Sequence, residues 1–368
     1  MFRRGHQIGR ALTALVIGAG VLLVPTAAGA SKGWVSSATE TEALVTPPVA
    51  PAALKVGVQV LPLWSDWDVH TALISTLAQA GVRWLRIDVG WSSYEYSGPG
   101  QIATWYEHRV DQVVAQADSL GMHILATVES APPWAQGGGT DLRVLPTNPQ
   151  DYANFMGWFA NRYRGKIAAY EIWNEPDIIP SATPASYAAL LEAAYPAVKA
   201  ADPTAIVVSG GLSGNDAAWL AQLYAAGAGG SFDVVATHPY MAPTTAGPEL
   251  ADSGTTPYNI RHVTAVHQVM VDNGDGNKPI WFTEFGWSTG TTGTYYQAVT
   301  LAVQAEYLTQ TLQMLPQYPY VTAAFWYTSR DLVGQGDHED DFGLLNRDMS
   351  EKPAFGALRT WLTEHPES

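Results

Sequence analysis

The chain has 368 residues, no cysteine, and 34 Asp and Glu against 19 Lys and Arg, a formal charge of −15 at pH 7. So acidic a surface repels phosphate backbones and anionic membranes, which argues against nucleic acid as a partner. Lack of cysteine removes disulfides, thiol chemistry and Cys-based zinc sites, so core packing alone must hold the fold.

The chain opens with Arg3, Arg4 and Arg10, then an apolar run from Ala11 to Val24 and the small-residue triplet Ala28-Gly29-Ala30. That order fits a cleaved secretory signal peptide over 1–30. The run is shorter than the roughly 20 residues a spanning helix needs, so no stable membrane insertion is expected after cleavage. Residues 31–53 are rich in Ser, Thr, Ala and Pro and read as a flexible leader. The folded domain is expected over 54–368, secreted or in the cell envelope, and monomeric.

Eight apolar runs read as strands: Lys55–Leu61, Val82–Val89, His123–Val128, Ala168–Trp173, Ala205–Ser209, Asp233–Thr237, Pro279–Thr283 and Val321–Tyr327. Helical patterns fall between them. One spans Thr104–Leu120, with Val110, Val113, Val114 and Ala117 on one face and Gly121 as its stop. Asn148-Pro149 and Thr183-Pro184 each read as an N-cap followed by proline at the first helical position. Further helices are predicted near 70–80, 216–227, 257–272, 295–315 and 353–363. Near-continuously apolar strands, each followed by a helix, point to the α/β class: a (β/α)₈ TIM barrel in a single domain. A doubly wound open sheet would show a Gly-rich phosphate turn after an early strand, and none is present.

Barrel sites form at the C-terminal ends of the strands. There the second strand carries Arg86 and Trp91, and the third carries Glu129 and Trp134. The fourth carries Asn174 and Glu175, the sixth His238 and Tyr240, the seventh Glu284 and Trp287, and the eighth Trp326. Fourteen Trp and 17 Tyr in a chain only 14% charged suit sugar rings, although most single rings belong to cores. Two carboxyls far apart in sequence but facing one cleft are the requirement of retaining glycoside hydrolysis. One attacks the anomeric carbon and the other shuttles the proton. Arg86 is the natural cation beside the attacking group, and Asn174 is placed to bond the sugar 2-hydroxyl. Trp91, Trp134 and Trp287 are candidate sugar platforms. Glu129 reads as a substrate contact or loop anchor rather than a catalyst.

Trp173-Asn174-Glu175-Pro176 paired with Thr283-Glu284-Phe285-Gly286 resembles the signature of clan A glycoside hydrolases. The resemblance spans about residues 55–363. Within the clan the chain is most similar to family 39, including bacterial exopolysaccharide-cleaving members, and next to family 5 cellulases and mannanases. It implies that Glu175 is the acid/base and Glu284 the nucleophile. It further implies that Arg86, His238 and Tyr240 surround the nucleophile, and that Trp326 floors the subsite at the cleavage point. The expected activity is cofactor-free, double-displacement hydrolysis of a β-linked poly- or oligosaccharide. A transglycosylase using the same carboxylates, or a non-catalytic glycan-binding barrel, fits the same residues. No metal site is expected: Asp272–Asn277 lacks a calcium loop's ligand pattern, and Asp337–Asp341 reads as a solvated acidic loop.

Overall fold

The computed structural model describes residues 53–290, 297–334 and 337–366, apart from the Asp337 side chain. The expected signal peptide, and the expected leader except Ala53, lie outside the described residues. The chain runs through β1 (Lys55–Val60), α1 (His70–Gln79), β2 (Trp84–Gly90), the one-turn α2 (Trp91–Tyr94), α3 (Thr104–Ser119) and β3 (His123–Glu129). Next come α4 (Pro149–Arg162), β4 (Ala169–Ile172), α5 (Pro184–Ala201), β5 (Ile206–Ser209), β6 (Leu212–Ser213) and α6 (Ala217–Ala225). Then follow β7 (Val235–His238), α7 (Val263–Asp272), β8 (Ile280–Phe285), α8 (Leu301–Met314), β9 (Val321–Trp326), α9 (Asp337–Asp340) and α10 (Pro353–Glu364). Among the described residues, no helix is long and apolar enough to cross a membrane.

The strands pair in parallel in the order β5-β4-β3-β2-β1-β9-β8-β7-β6. A further parallel bridge, Val208 to Val234, joins β5 to the start of β7 and closes the sheet. The result is a single-domain (β/α)₈ barrel. Its fifth strand is split into β5 and β6, so the predicted sixth, seventh and eighth strands are β7, β8 and β9. The split falls at Gly210-Gly211. A Cβ on Gly210 would lie 2.9 Å from the Ile172 carbonyl, and one on Gly211 would overlap the His238 ring. Only glycine lets the backbone pass that close.

The helices begin where side chains satisfy their first amides. Asn148 accepts from the Gln150 amide ahead of Pro149, and Thr183 and Ser186 form a reciprocal capping box ahead of α5. Two helices start later than predicted for the same reason. Asn259 caps a single 3₁₀ turn before α7, and Thr300 accepts from Val303 so that α8 begins at Leu301.

Strand alternation divides the packing. Trp84, Leu125, Ala169, Val208, Val234, Ala236, Trp281, Ala323 and Phe325 point inward and plug the lower barrel. Trp84 meets Trp281 and Phe325 edge-on, and Phe325 fills the space that Gly57 leaves without a side chain. Each such ring, buried from water, contributes about 1.5–3 kcal/mol. The alternate strand residues face outward and pack with the helices into the larger core. With its lower half filled, the barrel has space for a cleft only at the C-terminal rim.

Candidate active site

Two residues up each strand from the apolar plug, the inward positions turn polar. Gln59 on β1, Arg86 on β2, Thr127 on β3, Glu171 on β4 and Thr283 on β8 are all buried. Glu171 is the hub of this layer. Its Oε2 accepts from Arg86 Nε at 2.7 Å and from the Thr127 hydroxyl at 2.5 Å. Its Oε1 accepts from the Gly211 amide at 3.0 Å and the Thr283 hydroxyl at 2.8 Å. Four donors on one buried carboxylate leave it an acceptor throughout. Removing one member of such a buried pair alone typically costs about 3–5 kcal/mol.

Arg86 carries this layer up to the chemistry. Its Nη1 donates to Gln59 and, at 2.7 Å, to Glu284 Oε1; its Nη2 donates to Asn174 Oδ1 at 3.0 Å. The surrounding carboxylates hold its pKa above the ordinary value against the opposing effect of burial. The other oxygen of Glu284 accepts the Tyr240 hydroxyl at 2.8 Å. Burial, then the Glu284 charge, push the Tyr240 pKa well up, so it stays a donor. Both oxygens of Glu284 are therefore gripped, and the carboxylate is aimed. Asn174 uses its amide oxygen on Arg86, which leaves its NH₂ to donate into the cleft.

Glu175 sits just beyond β4 with φ +42°, and Trp173 has φ +72°. These left-handed conformations are uncommon outside glycine. They are secured by Trp173 donating to the Val128 carbonyl at 3.1 Å and Glu175 donating to the Gly211 carbonyl at 3.0 Å. His238 Nδ1 lies 3.1 Å from Glu175 Oε1 and 3.7 Å from Glu284 Oε2. That pair of oxygens is thus no farther apart than these two contacts laid end to end. This is compatible with the roughly 5–5.5 Å of a double-displacement pair.

The proton on the other ring nitrogen follows by elimination. Thr283 gives its only proton to Glu171, so the His238 Nε2–H must donate to Thr283 Oγ1, 3.1 Å away. Nδ1 then shares its proton with Glu175. Burial lowers the His238 pKa, but the Glu284 charge and the Glu175 hydrogen bond outweigh it and the net shift is upward.

The structure therefore brings together Glu175, Glu284, Arg86, Asn174, His238 and Tyr240. It does not bring in the tryptophans. Trp326 stands at an outward position of β9 and Trp91 opens α2, and both are buried in the outer core. Trp91 donates to Glu95 and packs on Tyr152 and Phe155; Trp326 donates to the Phe342 carbonyl and packs on Phe285. Trp287, also buried, donates to the Ala246 carbonyl and packs against Trp326 and Tyr307. Trp134, half-buried, donates to the Glu95 carbonyl and meets Trp91 edge-on.

The inward aromatic on β9's extension is Tyr327, half-buried, with its ring centroid 6.4 Å from that of Tyr240. Tyr327→Ala is expected to raise KM for an aryl glycoside roughly tenfold, the worth of one aromatic contact. Trp326→Phe should lower the melting temperature and leave KM alone; the reverse pattern would restore Trp326 to the cleft. Gln59, Glu171, Thr283 and Tyr327 are additions to the site. The signal for Glu171 was a charge inside an otherwise apolar strand.

Of the two metal-like stretches, Asp272–Asn277 forms a turn in which Asp275 accepts from Tyr224 and pairs with Lys278. Residues 337–340 form α9. Among the described residues, no group of three or more His, Asp or Glu is arranged to hold a metal ion.

The family model described as Cellulase (glycosyl hydrolase family 5) matches residues 49–330. A search of the curated proteins found no match. Among solved structures, a family 39 glycoside hydrolase from the gut symbiont Bacteroides cellulosilyticus WH2 is similar at 27% identity, TM-score 0.71, over 84% of this chain and 63% of that one. This chain thus spans less than two thirds of that protein. GH5_18 from Streptomyces cattleya, solved in complex with GlcNAc, shares the fold at 17% identity and TM-score 0.67, over 86% and 81% of the two chains. So does the exo-β-1,4-mannosidase Op5Man5 from Opitutaceae bacterium strain TAV5, at 17% and 0.61, over 85% and 60%.

Proposed function

The chain belongs to the cellulase family, glycosyl hydrolase family 5, and is a glycoside hydrolase; we propose that it cleaves a β-linked extracellular or cell-envelope polysaccharide by double displacement. The observation that carries the reading is the shared reach of His238 Nδ1 to Glu175 and Glu284, with the Glu284 oxygens held by Arg86 and Tyr240. A carboxylate so held, facing a second carboxyl that shares a proton with a histidine, supplies both halves of the mechanism.

In the first step a Glu284 oxygen attacks the anomeric carbon while the glycosidic C–O bond breaks. The leaving oxygen takes the proton of Glu175. In the second step Glu175 removes a proton from water, whose oxygen attacks the same carbon and releases Glu284 as carboxylate. Asn174 donates to the 2-hydroxyl, a bond that strengthens as positive charge grows on the ring. The basic start and apolar run of residues 1–30 support export of the enzyme.

The test is a reducing-end screen of the purified protein against β-linked polysaccharides and aryl β-glycosides. Glu175→Gln and Glu284→Gln run beside the wild type. Activity on one glycan, lost in both variants, establishes the reading and names the sugar. A folded wild type silent across the panel, yet binding a glycan tightly, would replace it with a non-catalytic glycan-binding barrel.

A further inference from the structure

Two carboxyls in the cleft take no part in the mechanism above. Asp88 and Glu129 occupy the highest inward positions of β2 and β3, where Asp88 pairs with Thr127 and Gly90 with Glu129 in register. They stand beside Arg86, but Arg86 has little left to give. Four of its donors are engaged by Glu171, Gln59, Glu284 and Asn174, and Asp88 Oδ1 lies 3.7 Å from it, beyond hydrogen-bond reach. Asp88 Oδ2 accepts from Gln59 at 2.9 Å. The half-buried Glu129 carboxyl makes neither a hydrogen bond nor an ion pair among the described residues. It faces the cleft one strand away from Asn174.

We infer that Glu129 works as an un-ionised carboxylic acid that donates a hydrogen bond to a glycone hydroxyl, with ionised Asp88 as the adjoining acceptor, so that the cleft selects a neutral glycone. This rests on the glycosidase reading. The charges around Glu129 all bear on it. Asp88, Glu284 and Glu171 oppose its ionisation and Arg86 favours it, while the neighbouring helices α3 and α4 present the neutral phenols Tyr106 and Tyr152. Burial first, then the Asp88 charge, raise the Glu129 pKa above the ordinary carboxylate range, and burial raises that of Asp88 against the lowering effect of Arg86. Asp88 has Gln59 as a donor and Arg86 within ion-pair distance, while Glu129 has neither, so the charge rests on Asp88 and the proton on Glu129. They can donate and accept within one pair of sugar hydroxyls, whereas a uronate carboxylate facing Asp88 would meet its negative charge.

The test measures binding by calorimetry in a Glu175→Gln background, which slows turnover by the worth of the general acid and leaves Asp88, Arg86, Glu171 and Glu284 in place. The probes are β-1,4-glucohexaose and β-1,4-mannohexaose, with a hexauronate as the charged counterpart. Affinity for a neutral probe should fall roughly tenfold between pH 6.5 and 9.5, about the worth of one hydrogen bond. Adding Glu129→Gln, a permanently neutral donor, should keep the affinity and flatten the pH response. Adding Glu129→Ala should weaken binding at every pH. A flat response before Glu129 is changed, a Gln variant as weak as Ala, preference for the hexauronate, or no binding of either neutral probe would each overturn the assignment. Failure of the glycosidase reading shows separately, as absence of turnover by the wild type across the screen.

Discussion

Glu284→Gln is expected to cut turnover by a factor on the order of 10⁵ or more, the scale seen when a covalent nucleophile is removed. The substitution keeps shape and keeps an acceptor for Arg86 Nη1, now 2.7 Å from the carboxylate oxygen. It removes the lone pair and charge that attack the anomeric carbon, so no glycosyl-enzyme forms. Arg86 retains its bond to Glu171, so the buried cation keeps a carboxylate and the fold should survive. Circular dichroism and the melting temperature check that point. The decisive readout is covalent: an activated 2-fluoro glycoside should add one sugar mass to the wild type and none to the variant. Near wild-type hydrolysis by contamination-free Glu284→Gln would remove Glu284 from the nucleophile's place.

The fold and the two candidate glutamates were legible because both are written locally. Apolar strands alternating with capped helices specify a parallel barrel, and a barrel places residues such as Asn174, Glu175 and Glu284 at one rim. The placement of the aromatics follows strand parity and not nearness to the rim. Residues 84, 86 and 88 face inward on β2 while Leu85, Ile87 and Val89 face the outer core, which Trp91 joins one residue past the strand, at the start of α2. On β9, Ala323 and Phe325 face inward, which assigns the cleft to Tyr327 and the core to Trp326. That information was present in the period of two.

Other parts of the site were not local. The register between β8 and β9 shifts by one between Phe282 and Phe285. That irregularity lets consecutive Thr283 and Glu284 both reach the cleft, against simple alternation. The convergence of Arg86, Thr127, Gly211 and Thr283 on Glu171 likewise depends on closure, since it joins five strands across the barrel.

Glu175→Ala should give the second large loss, and its size should depend on the leaving group. For a natural glycoside, whose leaving alkoxide needs a proton, the expected fall in kcat/KM is about 10²–10⁴-fold, the usual worth of a general acid. For a dinitrophenyl glycoside, whose leaving group departs unprotonated, Glu284 still attacks, so the first step should be nearly spared. The glycosyl-enzyme then waits, because water lacks its base. A burst of phenolate should precede a slow steady state. Azide needs no base and fits the space vacated by the side chain, so it should raise the steady rate and yield a glycosyl azide that retains the β configuration.

The wild-type pH profile should change in the same variant. His238 Nδ1 shares its proton with Glu175 at 3.1 Å, and the basic limb of kcat/KM reports loss of that proton from the free enzyme. With the dinitrophenyl substrate, Glu175→Ala should lose the basic limb. A uniform loss across all leaving groups, unmoved by azide and with the basic limb intact, would mean that Glu175 holds the site together without moving a proton.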